Sequence, residues 1–143
     1  MPPVYFVVAL AAMVALRFAL PVAKFGNAAL DAVGGVLVAA GLVLEVWGSR
    51  LFDRARTTIK PFQESSTLVT HGPFRISRNP MYLGMVVILL VVGLLLGSLL
   101  PFLVVPIFRL LIERRFIRFE EAGLERTFGA EYSAYKARVR RWV

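Results

Sequence analysis

At 143 residues the chain is long enough for one domain, and at 58% hydrophobic, with a mean hydropathy of +0.71, it is too apolar for an ordinary soluble domain of that size. It has no cysteine and one histidine, which excludes disulfides, thiolate metal sites and cysteine nucleophiles and leaves zinc without its usual ligands. The net charge of +8 is carried by basic residues clustered between and after apolar runs, a pattern suited to anionic lipid headgroups; no recognition motif accompanies it, so no nucleic-acid partner is expected.

A membrane span needs about 20 mostly apolar residues. The first runs from Val4 to Leu20 and stops at Pro21. It lacks the basic start and small-residue cleavage site of a signal peptide and is expected to be retained. Lys24–Asn27 turns the chain into a second span, Ala28 to about Phe52. Arg17 and Asp31 fall near one interface, where they are expected to pair. Glu45 lies inside the second span, where a carboxylate is costly, and either serves function or meets Arg50 or Arg109. The glycines Gly34, Gly35, Gly41, Gly48, Gly93 and Gly97 suit close helix packing, while Gly84 has the place for a ligand to approach the backbone.

The stretch Thr67-Leu-Val-Thr-His-Gly-Pro-Phe-Arg-Ile-Ser-Arg-Asn-Pro-Met-Tyr82 packs a histidine, two arginines, an Asn-Pro step and two aromatics against an apolar segment. So much polar chemistry at a membrane border implies binding. His71 is either a hydrogen-bonded loop residue or a base; Arg75 and Arg78 either bind lipid phosphates or a ligand. Pro80 pushes Asn79 out of helical geometry, and a third span begins at Met81, leaving unpaired N–H groups at a positive helix end that suits a carboxylate.

The third span continues to Leu100, and Gly97-Ser98 with Pro101 turns the chain into a short fourth, Pro101 to Ile112, of about 18 Å. Arg109 and Glu113 are then expected to face protein or water in one leaflet. The helix should run on through Arg126 and end near Gly129 as a C-cap, with Glu131–Trp142 a basic tail on the membrane surface, anchored by Tyr132, Tyr135 and Trp142. Glu120 and Glu121 are either solvated, paired with Arg114 or Arg118, or turned into a pocket where a carboxylate accepts ribose or amino hydrogens. The basic central loop and tail place both termini on the cytoplasmic side. The expected fold class is all-α: a polytopic membrane protein of about four transmembrane helices in two hairpins with a cytosolic C-terminal helical extension, one domain over residues 1–143.

Two blocks then carry a resemblance. Thr67-Leu68-Val69-Thr70-x-Gly72-Pro73-Phe74-x-x-x-Arg78-Asn79-Pro80-x-Tyr82, and Glu120-Glu121-x-x-Leu124-x-x-x-Phe128-Gly129-x-Glu131-Tyr132-x-x-Tyr135 followed by Arg138-Val139, resemble the isoprenylcysteine carboxyl methyltransferase family, to which phospholipid methyltransferases are related. The match covers about Ser66 to Trp142; the first two spans carry no diagnostic residues. The resemblance implies an integral membrane enzyme, in a prokaryotic cytoplasmic membrane, that binds S-adenosyl-L-methionine in a cytoplasm-facing pocket and takes a lipophilic acceptor sideways from the bilayer. It divides the domain into an N-terminal hairpin, 1–60, and a cofactor-binding catalytic core, 61–143. The cofactor contacts implied are Ser66, Thr67, Leu68, Val69, His71, Phe74, Arg78, Asn79, Pro80, Met81, Tyr82, Glu120 and Glu121. Phe74 replaces a common tyrosine and Asn79 a common histidine. The arginine that orients a substrate carboxylate in eukaryotic members falls at Phe116, so Arg115, Arg109 and Arg118 are the candidates for that role.

Carboxyl O-methylation of a lipid-linked acceptor is the leading expectation, with N- or S-methylation of a small lipid beside it. An NADPH-dependent membrane reductase of related fold and a non-catalytic membrane protein are the rival readings. No metal is expected, and the residues say nothing of oligomeric state.

Overall fold

The computed structural model describes residues 1–20, 28–54 and 67–143, and all regular elements of these residues are helices. Helix α1 spans Pro2–Ala19, with proline in its first turn, where the missing N–H has no partner to lose. Helix α2 spans Ala28–Arg54. Helix α3 spans Pro80–Leu96 and closes on Gly97 in the left-handed region (φ 59°), which turns the chain sharply. A 3-10 turn, Leu100–Leu103, leads into α4, Val104–Ile112. The chain continues through a π-helical turn, Glu113–Ile117, into α5, Arg118–Arg138.

Helices α1 and α2 are long and apolar enough to cross a membrane, and less than a fifth of each span is buried within the chain. Val7, Val8, Phe18, Val36 and Val43 project outward, an apolar surface that lipid must cover. Both helices are accordingly candidate membrane spans. Helix α3 is the shorter apolar helix at the centre, packed on α2 along one side and on α1 and α4 along the other. Small residues permit the α2–α3 approach. A Cβ at Gly41 would stand 2.7 Å from Ile88 and 3.1 Å from the Gly84 carbonyl, and one at Gly34 would meet Leu95 at 2.9 Å. The Gly84 backbone thus faces Gly41 of α2.

The main core joins α1, α3, α4 and the π turn around Met13, Leu89, Phe108, Ile112, Phe116 and Ile117. Tyr5 meets Phe116 edge-on at 5.4 Å, and Phe6 meets Phe108 at 6.1 Å. At the other end Arg17 donates to the Leu96 carbonyl over 2.7 Å, a cation on an orphan carbonyl at a helix C-terminus. Arg17 thus caps α3; the side chains of Asp31 and Glu45, the Lys24–Asn27 turn and Ser66 lie outside the described residues.

In the C-terminal region Gly129 (φ 48°, ψ −115°) leaves helical geometry, so the helix breaks where the sequence places its end and a second helical stretch of α5 follows across the kink. Across the bend Lys136 pairs with Glu125, eleven residues back, which a straight helix would hold about 16 Å apart along its axis. Tyr132 and Tyr135 are buried, with Leu51, Val69 and Phe74, in a second apolar cluster. They are interior residues and do not anchor a tail on the membrane surface.

Candidate functional site

The site forms where the N-terminus of α3 meets the start of α5. Ahead of α3, Gly72 (φ 61°) opens a 3-10 turn, Gly72–Arg75, that buries Pro73 and Phe74. A side chain at Gly72 would strike Leu51 at 2.8 Å, so the turn lies directly on α2. The Tyr135 hydroxyl donates to the Phe74 carbonyl over 2.6 Å and fixes this turn to α5. Burial pushes the Tyr135 phenol up, aided by Tyr132. Burial likewise raises Tyr132, to about 12, with Glu121 adding and Arg78 opposing.

The Asn-Pro corner and the paired glutamates, about forty residues apart in sequence, are in direct contact. The Tyr82 hydroxyl donates to Glu120 Oε1 over 2.7 Å, and Arg78 lies 3.3 Å from Glu121. Burial raises the Glu120 carboxyl, partly offset by the Tyr82 hydrogen bond, and the neighbouring Glu121 raises it further. The π turn sits just before this pair; such turns shift the phase of the following helix and often occur at functional sites.

The chain end completes the arrangement. Arg141 donates to both oxygens of Glu121, at 3.0 and 2.6 Å, and to Glu113 at 2.8 Å. Hydrogen bonding to Glu121 holds its guanidinium above the usual pKa, against the opposing effect of burial. Its carbonyl accepts from Asn79 Nδ2 at 3.0 Å and Ser77 Oγ at 3.1 Å, while Arg78 N donates to the Arg140 carbonyl at 2.9 Å. The Trp142 indole donates to Glu113 over 3.2 Å. Asn79 therefore spends its amide on the returning chain rather than on capping α3.

Of the residues singled out in the sequence, Val69, Phe74, Arg78, Asn79, Pro80, Tyr82, Glu120 and Glu121 converge here, and Leu68 packs on the second cluster. Thr67 and His71 are exposed at its edge. Met81 turns toward α2, where a Cβ on Gly48 would lie 2.9 Å from its Cγ. Glu121 takes Arg78 and Arg141 as partners, neither Arg114 nor Arg118. The three candidate acceptor arginines are exposed: Arg109 stacks on Trp142 at 5.1 Å, Arg118 approaches Glu113 at 3.9 Å, and Arg115 faces outward. Glu113, Ser77 and Arg141 join the site without a motif of their own, although Arg140-Arg141-Trp142 is a dense basic-aromatic ending within the resemblance.

Residues 30–131 match the phospholipid methyltransferase family, well over half of the chain, and the chain belongs to that family. An uncharacterized protein of Haemophilus influenzae is 49% identical over 63 residues, which are 44% of this chain and all of that protein. The solved structure of the eukaryotic intramembrane Ras methyltransferase, isoprenylcysteine carboxyl methyltransferase, superposes with a TM-score of 0.68 at 21% identity over 96% of this chain. That likeness is one of fold, and the chain spans half the length of that protein.

Proposed function

We propose that the chain is an S-adenosyl-L-methionine-dependent methyltransferase acting on a lipophilic acceptor that arrives from the bilayer. The observation that supports this most is the Tyr82–Glu120 hydrogen bond of 2.7 Å, which unites the two halves of the expected cofactor site. The residues suit the cofactor's mixed chemistry. Among the described residues the buried Arg78 Nε–H has no hydrogen-bond partner, a donor open to a ligand acceptor. Glu120 is held by Tyr82 at Oε1, which leaves its other oxygen for ribose hydroxyls. The sulfonium of the bound cofactor supplies a methyl group already activated for displacement.

The chain's own task is alignment and exclusion of water. Tyr82 orients Glu120; Arg78 and Arg141 pair with Glu121; the Phe74 turn, tied down by Tyr135, walls the site. We read the acceptor as a carboxylate or another lipid nucleophile, with Arg109, Arg115 or Arg118 as its orienting cation. Four spans, a cytoplasmic site and a cytoplasmic-membrane location complete the proposal. The test is incubation of purified protein and native membranes with methyl-labelled cofactor. Label should enter the lipid phase with the native chain and fail to enter with Glu120→Ala; a base-labile product assigns an ester. Equal labelling by the two proteins would overturn the reading.

A further inference from the structure

Outside the site, the outer face of α2 carries a groove of about 430 Å³ that the methyl-transfer reading does not use. Its floor and walls are apolar, formed by Leu42, Val43, Val46 and Trp47, and its end is cationic, formed by Arg50 and Arg54. The helical spacing explains the shape. Val43 and Trp47 stand in one row four residues apart, while Leu42, Val46, Arg50 and Arg54 form the next. From Leu42 to Arg54 the helix rises about 18 Å, close to the roughly 15 Å depth of one leaflet. The cationic end lies at the site's level, because Trp47 and Leu51 touch the Gly72 turn. Among the described residues neither guanidinium meets a carboxylate. Trp47, half exposed at the same level, is the aromatic expected at a headgroup border.

We propose that this groove binds an anionic phospholipid, with an acyl chain along Leu42, Val43, Val46 and Trp47 and the phosphate held by Arg50 and Arg54. Charge selects the occupant: a neutral apolar ligand would offer the two guanidinium groups no counter-charge, and a second copy of α2 would bring two further arginines against them. Guanidinium forks fit phosphate oxygens. This site stands independently of methyl transfer.

Trp47 reports directly on the groove. The full chain with Trp142→Phe retains Trp47 as its sole tryptophan. In phosphatidylcholine vesicles, brominated phosphatidylglycerol should quench Trp47 at a mole fraction about tenfold lower than brominated phosphatidylcholine does, as two interfacial arginines would confer. Combined Arg50→Gln and Arg54→Gln should equalise the two curves while retaining quenching by the neutral lipid, which also shows that α2 is still in the bilayer. Should Trp142→Phe fail to fold, the same curves are taken as the difference between the native chain and Trp47→Phe. Equal quenching by both lipids in the starting protein would overturn the proposal. So would a preference that survives loss of both arginines, or protection of Trp47 from either lipid with cross-linking of two chains through α2.

Discussion

Glu120 illustrates how a single carboxylate can cost stability while serving a site. Burial lifts its pKa above the unfolded value, so its favourable contribution to folding is fully present below the unfolded pKa and is lost as pH rises through the folded one. The buried Glu120 carboxyl therefore leaves the ligand-free fold less stable at neutral pH than in acid. Glu120→Gln keeps an acceptor for Tyr82 and never ionises. Thermal unfolding in detergent should show the variant more stable than the native chain at pH 7, with the difference closing as the pH falls below about 4, where the native carboxyl is also neutral. A difference that grows on acidification would contradict this. Glu120 and Tyr82 were legible in the sequence because both follow fixed motif spacings. Arg141 was not: its role depends on a chain reversal, and Glu113 and Glu121, spaced eight apart, carry no sign that one guanidinium would join them.

Among the elements, the bend in α5 makes that reversal possible. Gly129 occupies φ 48°, ψ −115°, a conformation hostile to any residue with a side chain. Beyond it Tyr132 and Tyr135 swing onto Val69 and Phe74, and Arg141 returns to Glu121. Gly129→Ala should cost about 1–3 kcal/mol through backbone strain alone, because no atom stands within 4 Å of the new Cβ. Gly123→Ala, equally uncrowded but helical, should be neutral or stabilising, and comparing the two unfolding midpoints isolates the strain. The sequence correctly marked Gly129 as a backbone exception. Apolar periodicity, however, does not distinguish an aromatic facing lipid from one facing a neighbouring turn. That is why the two tyrosines read as surface anchors.

At the level of the whole molecule, apolar runs announced the helices well. The expected spans fall within a few residues of α1, α2, α3 and α4. What the runs could not reveal was which helix is central. Helix α3 has the most uniformly apolar sequence and is the one enclosed by its neighbours, whereas α1 and α2 keep broad apolar faces outside. Contacts at the two ends give the molecule polarity. Tyr5–Phe116 and Tyr82–Glu120 gather the N-termini of α1 and α3 beside the π turn and the start of α5, and Arg17–Leu96 closes the far end. The site therefore lies at one end of the helices, where the proposed function has a water-soluble donor meet a bilayer-soluble acceptor. The most direct measurement of that claim is calorimetric titration of the detergent-solubilised chain with S-adenosylhomocysteine. The account predicts one saturable site, lost in Glu120→Ala, weakened about tenfold in Tyr82→Phe by removal of one hydrogen bond to a charged group, and indifferent to NADPH. Binding that survives Glu120→Ala unchanged, or NADPH binding more tightly than the homocysteine ligand, would contradict it.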